Sequence, residues 1–352
     1  MPAERTSLDA SIDHEPRHTA AAMHTAIWMY PPDLAERIFG SRLSALREIV
    51  PGQSPVVLTD LTSDAARGVL DQTEVLITGW GIPPLSTADL AAARSLRAVL
   101  HAGGQASSVL PAAAWDSGLI IGNAGAANAV PVAEYSVAMI LLAGAAAFKA
   151  REIYRLRRSR IDREAEFSCA GNYGCVVGIV GASRIGRLVI ELLRSHDVEV
   201  IVYDPYVAPT EIRNLGARPV DLRELMAESD VISLHPPLNS ETRGLIGGER
   251  LASMKTGATI INTSRGAVID QAALIGELMS GRIQAILDVT DPEVIEPDNP
   301  LYDLPNVFLT PHIAGSKGRE LRRIGRHISR ELARLSLGEP LQFPEAAPAP
   351  GS

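Results

Sequence analysis

The chain predicts an α/β architecture of two domains, each built on a parallel sheet, and three observations predict it. Apolar residues make up 46% of the sequence and aromatic residues only 4%, so the core is made of Ala, Val, Leu and Ile, as buried parallel strands and their covering helices require. Short apolar runs alternate with helical stretches from His24 onward, which is the βαβ pattern. At 352 residues, the chain holds two domains of about 150 residues each.

The elements follow in order. Residues 1–23 contain Asp9, Asp13, Glu15 and two histidines but no apolar segment, and read as a disordered extension rather than a signal peptide. Strands at Thr25 to Met29, Pro55 to Thr59, Glu74 to Thr78, Leu96 to His101 and Leu119 to Ile121 form a smaller, flavodoxin-like parallel sheet. Val130 to Ala147 is apolar on nearly all faces and is expected as an interdomain helix wedged between two bodies of structure. After the polar stretch Lys149 to Asn172, strands at Val176 to Val180, Val198 to Val202, Val231 to Leu234, Thr259 to Asn262, Ala285 to Val289 and Val307 to Thr310 fit a doubly wound sheet. No strand follows the last helix, Lys317 to Leu337, so it is expected to pack back on the first domain. The domains are therefore 24–126 plus 313–343, and 127–312, with 344–352 a disordered tail that has nothing to bury.

Composition excludes several classes of function. The net charge is -8 and Lys and Arg are scattered, so neither nucleic acid nor an anionic membrane surface is an expected partner. The one basic cluster, Arg155 to Arg160, reads as a solvated face. Two cysteines, Cys169 and Cys175, support neither a disulfide scaffold nor a zinc site; no metal is expected, and a reducing, cytoplasmic compartment fits. The longest apolar run, Tyr135 to Phe148, is about 14 residues, short for a bilayer span and suited to a buried helix.

The most informative segment runs from Cys175 to Asp204. An apolar strand leads into Gly181-Ala182-Ser183-Arg184-Ile185-Gly186, then a helix with an apolar stripe at Ile185, Leu188, Val189, Leu192 and Leu193, then a second strand ending at Asp204. The glycine turn sets backbone N–H groups at a helix N-terminus toward a pyrophosphate, and an acid about 20 residues on accepts from a ribose 2′-hydroxyl. The bland alternative is a plain strand-turn-helix connection. Ser183 replaces the glycine that lets the backbone approach the phosphates; its hydroxyl can donate to a phosphate oxygen, and Arg184 adds positive charge. Pro205 and Tyr206 follow Asp204, with no Arg or Lys set to accept a 2′-phosphate, which favours NAD over NADP. Ligands of open α/β sheets bind beyond the carboxyl ends of the strands, and Asp204, His235, Arg265, Asp288, Glu293 and His312 all fall at or just after such ends.

The chain resembles the D-isomer-specific 2-hydroxyacid dehydrogenase family over about residues 50 to 342. The segments that carry the resemblance are His235-Pro-Pro-Leu-Asn-Ser-Glu-Thr-Arg-Gly-Leu-Ile246, Met254-Lys255, Ile261-Asn-Thr-Ser-Arg-Gly-Ala-Val-Ile-Asp270, Asp288 to Glu293 and Leu309-Thr-Pro-His-Ile-Ala-Gly-Ser316. The resemblance implies that Arg265, Glu293 and His312 are the catalytic Arg, Glu and His. It further implies that Thr263, Ser264, Asp288, His312 and Gly315 line the cofactor site, with Asp288 under the nicotinamide carboxamide and His235 near the adenosine, and that backbone at Ala102-Gly103-Gly104 holds the substrate carboxylate. It also implies a homodimer, with the interdomain helix as the contact. These residue types suit hydride transfer to a 2-oxo acid: a histidine donates the proton the carbonyl oxygen needs, a carboxylate orients it, and a guanidinium grips the carboxylate. Singly, a Thr-Pro-His can be a capped turn, an Arg-Gly a surface turn and Asp288 a structural cap.

The chain departs from the family pattern at Ser183, and at Gln105 and Ser107, where a Gly and an Asp are common. Asn128 sits where the formate dehydrogenase branch has a substrate Asn. The alternatives are a non-enzymatic NAD(H)-binding redox regulator or corepressor, and a phosphite- or formate-type dehydrogenase.

Overall fold

The computed structural model describes residues 21–50 and 55–347. The extension up to residue 20 and residues 348–352 of the expected tail lie outside them. The described chain folds into two compact units: residues up to Ala124 together with Ile324–Ala346, and residues 125–323.

The smaller unit is a sheet of β1 (Thr25–Trp28), β2 (Val56–Leu58), β3 (Val75–Thr78), β4 (Ala98–His101) and β5 (Ile120–Asn123). All neighbours are parallel, in the order β2-β1-β3-β4-β5, the order of flavodoxin-like sheets. Every residue of β1, β3 and β4 is buried, as strands covered on both faces must be. The helix Leu321–Ser336 brings the chain back, and Ile324, Ile328 and Leu332, one helical face, are fully buried in this unit. Gly325 allows the approach, because a Cβ there would lie 2.3 Å from the carbonyl oxygen of Ile38.

Two expectations about chain ends change. Met23 is buried, and the amide of Ala21 donates to Ser336 O at 3.0 Å, so order begins before residue 24. Pro344 bridges Gly122, and the amide of Glu345 donates to Ile121 O at 2.8 Å. The segment expected to be loose from 344 onward is thus docked as far as Glu345, because polar bonds rather than apolar burial hold it.

The larger unit has seven parallel strands where six were expected: β6 (Cys175–Val180), β7 (Val198–Tyr203), β8 (Arg218–Pro219), β9 (Val231–Leu234), β10 (Thr259–Asn262), β11 (Gln284–Leu287) and β12 (Val307–Leu309). The order β12-β11-β10-β9-β6-β7-β8 is the Rossmann order 3-2-1-4-5-6 with one further strand, β12. The unexpected strand, β8, has only two residues and ends on a proline, too short for a period-2 pattern to register.

The long helix runs Gly125–Gly144, beginning earlier than Val130 and longer than its apolar run. Among the described residues it is the one helix long and apolar enough to cross a membrane by length and composition. Here its Ala133, Val137 and Ile140 are buried in the core with Val177, Ile179 and Val189 of the same unit. It ends at Gly144, and after Ala146, the N-cap at φ 52°, a second helix, Ala147–Arg157, takes up the first part of the expected polar stretch.

The helix after the glycine turn, Arg184–Leu193, buries Gly186, Val189, Ile190 and Leu193. The stripe is therefore rotated from the expected one: Leu192 is exposed and Ile190 is buried. Gly186 fixes this rotation, since a Cβ there would meet Gly181 O at 2.1 Å.

Candidate active site

The strand order of the larger unit arranges the candidate residues along one edge. Taking the carboxyl ends from β12 to β7, that edge carries His312, then Asp288 with Glu293, then Arg265, His235, the Gly181 turn and Asp204. The point where the order reverses lies between β9 and β6, the place where open α/β sheets bind ligands.

At that point Gly181 adopts φ +92°, and a Cβ on it would lie 2.9 Å from the backbone nitrogen of Pro236. The turn thus has room for glycine alone, and the amides of Arg184 and Ile185 stand at the open end of the following helix. Ser183 is the N-cap of that helix, with φ −63° and ψ 178°, and its Oγ accepts from the Gly186 amide at 3.4 Å. This extended backbone needs no glycine, and the hydroxyl keeps its own proton to donate outward. Arg184 is exposed and Ile185 half-buried.

Asp204 does more than await a ribose. Its Oδ2 accepts from the Ala182 amide at 2.8 Å, and its Oδ1 from Tyr206 at 2.8 Å and Val207 at 3.2 Å. The carboxylate therefore ties the glycine turn to the end of β7. A cavity of about 300 Å³ lies beside it, lined by Gly181, Ser183, Asp204, Tyr206, Pro236 and Thr242 among others. A glycine-only turn, an open helix N-terminus, a carboxylate and an adjoining cavity fit a dinucleotide. A larger cavity of about 630 Å³ opens at the amino ends of β10–β12, beside Phe148, Arg151 and Asn306; no candidate residue lines it.

His235 is buried, with Nε2 3.0 Å from Ser233 Oγ. Burial pushes its pKa down to about 3, so the ring is neutral at physiological pH, and the main chain of His235 backs the glycine turn, where a Cβ on Gly181 would meet its carbonyl carbon at 3.1 Å.

Asn262, at the end of β10, is absent from the expected site but holds the loop after that strand. Its Oδ1 accepts from the amide and hydroxyl of Ser264 at 3.0 and 2.8 Å, and its Nδ2 donates to Arg265 O at 2.9 Å. Thr263 pairs with Ser136 at 3.0 Å. Arg265 is exposed, and its Nη1 donates to Ser264 O at 2.8 Å. A Cβ on Gly266 would sit 2.1 Å from the carbonyl group of Thr290, so glycine lets the Arg265 loop lie directly on the loop that carries Glu293. Thr290 in turn donates to Glu293 O at 3.0 Å.

Asp288 is buried just after β11 and accepts from three donors. Its Oδ1 accepts from the Thr310 hydroxyl at 2.6 Å and the Ile313 amide at 2.8 Å, and its Oδ2 from the Ala314 amide at 2.8 Å. Tyr135, a second residue outside the expected site, adds its hydroxyl to Thr310 at 3.0 Å, and burial raises its pKa. These bonds bend the chain around His312, which sits at φ +52° with its amide 2.9 Å from Asp288 O. A bulky residue in the left-handed region costs energy and persists where its surroundings over-determine it. Asn128 accepts from the Ser316 amide at 2.9 Å, and a Cβ on Gly315 would approach it to 3.2 Å. Residues 313–316 therefore stay with the larger unit, and the chain returns to the smaller one at Ile324.

The bend aims His312 Nδ1 at Glu293 Oε1, 2.5 Å away, with both side chains about half exposed. A carboxylate oxygen accepts, so this contact suits an Nδ1–H donated to Glu293, which leaves Nε2 for another partner.

Loop 102–104 of the smaller unit is shaped by a histidine as well. A Cβ on Gly103 would lie 2.2 Å from His101 Nε2, and His101 is buried with its Nδ1 3.0 Å from Thr78 Oγ1. Burial pushes the His101 pKa down to about 4.

Residues 138–314 match the family described as D-isomer specific 2-hydroxyacid dehydrogenase, NAD binding domain. A D-3-phosphoglycerate dehydrogenase of Archaeoglobus fulgidus is 33% identical over 255 residues, 71% of this chain and 47% of that protein. A glyoxylate reductase of Korarchaeum cryptofilum is 40% identical over 168 residues, 47% of this chain and 51% of that one. The chain thus spans about half the length of the curated relatives it matches. Among solved structures, the TT0316 protein from Thermus thermophilus superposes with a TM-score of 0.73 at 26% identity, covering 92% of this chain and all of that one. The larger unit is an NAD-binding domain, and the chain belongs to the D-isomer-specific 2-hydroxyacid dehydrogenase family.

Proposed function

We propose that the protein is an NAD-dependent oxidoreductase acting between a small 2-hydroxy acid and its 2-oxo acid. The observation that carries the reading is the 2.5 Å contact between His312 Nδ1 and Glu293 on a backbone bent by Asp288. Bound NADH supplies the hydride for C2 of the 2-oxo acid. The carbonyl oxygen then gathers negative charge and needs a proton, which Nε2 of the His312 imidazolium donates. Glu293 stabilises that imidazolium and holds the ring in one tautomer, and in the oxidative direction the neutral ring takes the proton back. Arg265 grips the substrate carboxylate and polarises the carbonyl with its fixed charge. The amides of Gly103 and Gly104 supply further donors to the carboxylate, that of Ala102 being already given to Thr78 O.

For the cofactor, the roles are pyrophosphate binding at Gly181, Ser183, Arg184, Ile185 and Gly186, ribose binding at Asp204, and support of the rest by His235, Thr263, Ser264, Asp288 and Gly315. A homodimer in the cytoplasm is the proposed working form. Exposed Leu142, Tyr154 and Leu156 on the helices Gly125–Gly144 and Ala147–Arg157 are apolar side chains that a second subunit would cover. Light scattering that returns a monomer removes that part of the reading.

The test follows NADH absorbance with glyoxylate, hydroxypyruvate, pyruvate, 2-oxoglutarate, phenylpyruvate and the 2-oxo acid corresponding to 3-phosphoglycerate. NADH consumption with one of these, lost in His312→Ala, is the expected result. NADH binding by fluorescence with no turnover across the panel overturns the enzyme reading in favour of an NAD(H)-binding regulator.

A further inference from the structure

We infer that Glu345 is a positioning residue for the loop that follows β4, a role that rests on the proposed use of residues 102–104 to bind substrate. The segment after the last helix runs as a strap along the outer edge of β5. Leu341 is buried, and a Cβ on Gly122 would meet its Cδ1 at 2.7 Å. Phe343 packs on His327 with ring centroids 5.0 Å apart, and Pro344 bridges Gly122. Main-chain bonds then fix Glu345 at both ends: its amide donates to Ile121 O at 2.8 Å, and its carbonyl accepts from Trp115 Nε1 at 3.2 Å.

The side chain held there points at the loop. Its carboxylate accepts from the Ala106 amide at 2.7 Å, the Ser107 amide at 3.2 Å and Asn123 Nδ2 at 2.5 Å. Ala106 and Ser107 open the 3-10 turn Ala106–Ser108, so their amides lie at a helix-like N-terminus, where a negative charge is favoured. The near end of the loop is fixed separately: the Ala102 amide donates to Thr78 O at 2.7 Å, and Gly103 O accepts from the Ala124 amide at 3.0 Å. Residues 102–107 are thus clamped at one end by the sheet and at the other by a single carboxylate more than 200 residues away in sequence. A carboxylate with three donors makes charge-assisted bonds, stronger than the neutral bonds that a loop of this size otherwise makes. Releasing it frees the far end of the loop, and the cost falls on the affinity for the acid rather than on hydride transfer.

The experiment compares wild type, Glu345→Ala and Glu345→Gln, each with NADH bound. Backbone hydrogen exchange over residues 102–108 reads the positioning directly. Titration with oxamate, an unreactive 2-oxo acid analogue, and steady-state kinetics read its consequence. In Glu345→Ala, exchange in the loop accelerates about tenfold or more, oxamate binding weakens and KM rises about tenfold, the size of one charge-assisted bond. NADH affinity stays the same and kcat stays within about twofold. Glu345→Gln, which keeps one acceptor oxygen, falls between. Unchanged exchange in the alanine variant overturns the inference, as does a fall in kcat or NADH affinity with KM unmoved. A wild-type protein that neither turns over nor binds any 2-oxo acid overturns the functional reading, and the exchange data then still decide whether Glu345 holds the loop.

Discussion

The two units use the same device, a parallel sheet with loops at the carboxyl ends of its strands, and furnish those loops in opposite ways. In the larger unit the ends carry charge: Asp204, Arg265, Asp288, Glu293 and His312. In the smaller unit the loop after β4 carries Ala102, Gly103 and Gly104, and the residue after β5 is Ala124. Each unit buries one histidine at a strand end, bonded to a hydroxyl on the neighbouring strand or its own: His101 to Thr78 and His235 to Ser233. Each adjoins a glycine that has no room for a Cβ: Gly103 against the His101 ring, and Gly181 against the main chain of His235 and Pro236. On the proposed function, the difference divides the work: the larger unit supplies charge and proton chemistry, and the smaller one backbone shape.

The comparison breaks most visibly at His312. His312→Asn keeps a residue that tolerates φ > 0 and removes the imidazole, so the fold survives while kcat falls about 10³-fold. Glu293→Gln loses the charge beside the ring and is expected to lower kcat by about ten- to a hundredfold, with NADH affinity unchanged. Stopped-flow and steady-state NADH oxidation check both. If His312→Asn keeps wild-type kcat, charge on the larger unit's loops is not the source of the chemistry.

Two glycines sharpen the contrast at the next level. Gly266→Ala forces a Cβ to within 2.1 Å of the Thr290 carbonyl group, an overlap costing about 1–3 kcal/mol that pushes Arg265 away from the Glu293 loop. Gly103→Ala forces one onto the His101 ring, 2.2 Å away. The first is expected to lower kcat and kcat/KM together, the second to raise KM with kcat nearly kept. Kinetics of both variants, with urea unfolding as the control for stability, decide it; identical kinetic signatures would mean that the two loops do not divide the work.

The buried histidines add a pH dependence to stability. Burial holds the folded pKa of His101 at about 4 and of His235 at about 3, below the ordinary 6.5. A depressed histidine destabilises the fold only where the unfolded chain binds protons that the folded one refuses. Above pH 6.5 neither ring contributes, and stability falls as pH drops below it. At pH 5 each ring costs about 2 kcal/mol. The loss from His101 levels off near pH 4, while that from His235 continues to about pH 3. Proton NMR of the ring Cε1–H groups reads this directly, and titration of either ring near 6.5 in the folded protein would contradict the burial argument.

How much of this was legible in the sequence depends on how local the cause is. Buried parallel strands are short, mostly apolar runs, so β1, β3, β4, β6 and β9 could be read one by one, whereas the two residues of β8 carry no pattern. The glycine turn and its acid lie within about 25 residues and were readable as a unit. The rotation of the helix behind them was not, because a clash between Gly186 and Gly181 sets it. Asn262 was in plain view in Asn-Thr-Ser-Arg-Gly, where an Asn two residues before a Ser signals a side-chain-capped turn. Glu345 carried no signal: it stands among Ala and Pro, and its partners lie more than 200 residues upstream. Local hydrogen bonds leave a trace in spacing; long-range ones leave none.

The smallest effect expected concerns cofactor choice at Asp204. The sequence makes this carboxylate a ribose acceptor, yet three amides, those of Ala182, Tyr206 and Val207, already donate to it. A carboxylate has about four lone-pair sites, so one is left for a ribose hydroxyl, and its charge still repels a 2′-phosphate. Asp204→Ala removes both functions: discrimination between NADH and NADPH should relax by about tenfold, the size of one hydrogen bond to a charged group, and the glycine turn should lose its tie to β7. Asp204→Asn separates them. Its carbonyl oxygen keeps up to two of the amide bonds while the charge is gone, so the variant should relax discrimination with less loss of NADH affinity than the alanine variant. Fluorescence titration with both cofactors measures this. Equal NADH affinity in the two variants would show that the amide bonds contribute nothing to the turn, and that Asp204 acts on the cofactor by charge alone.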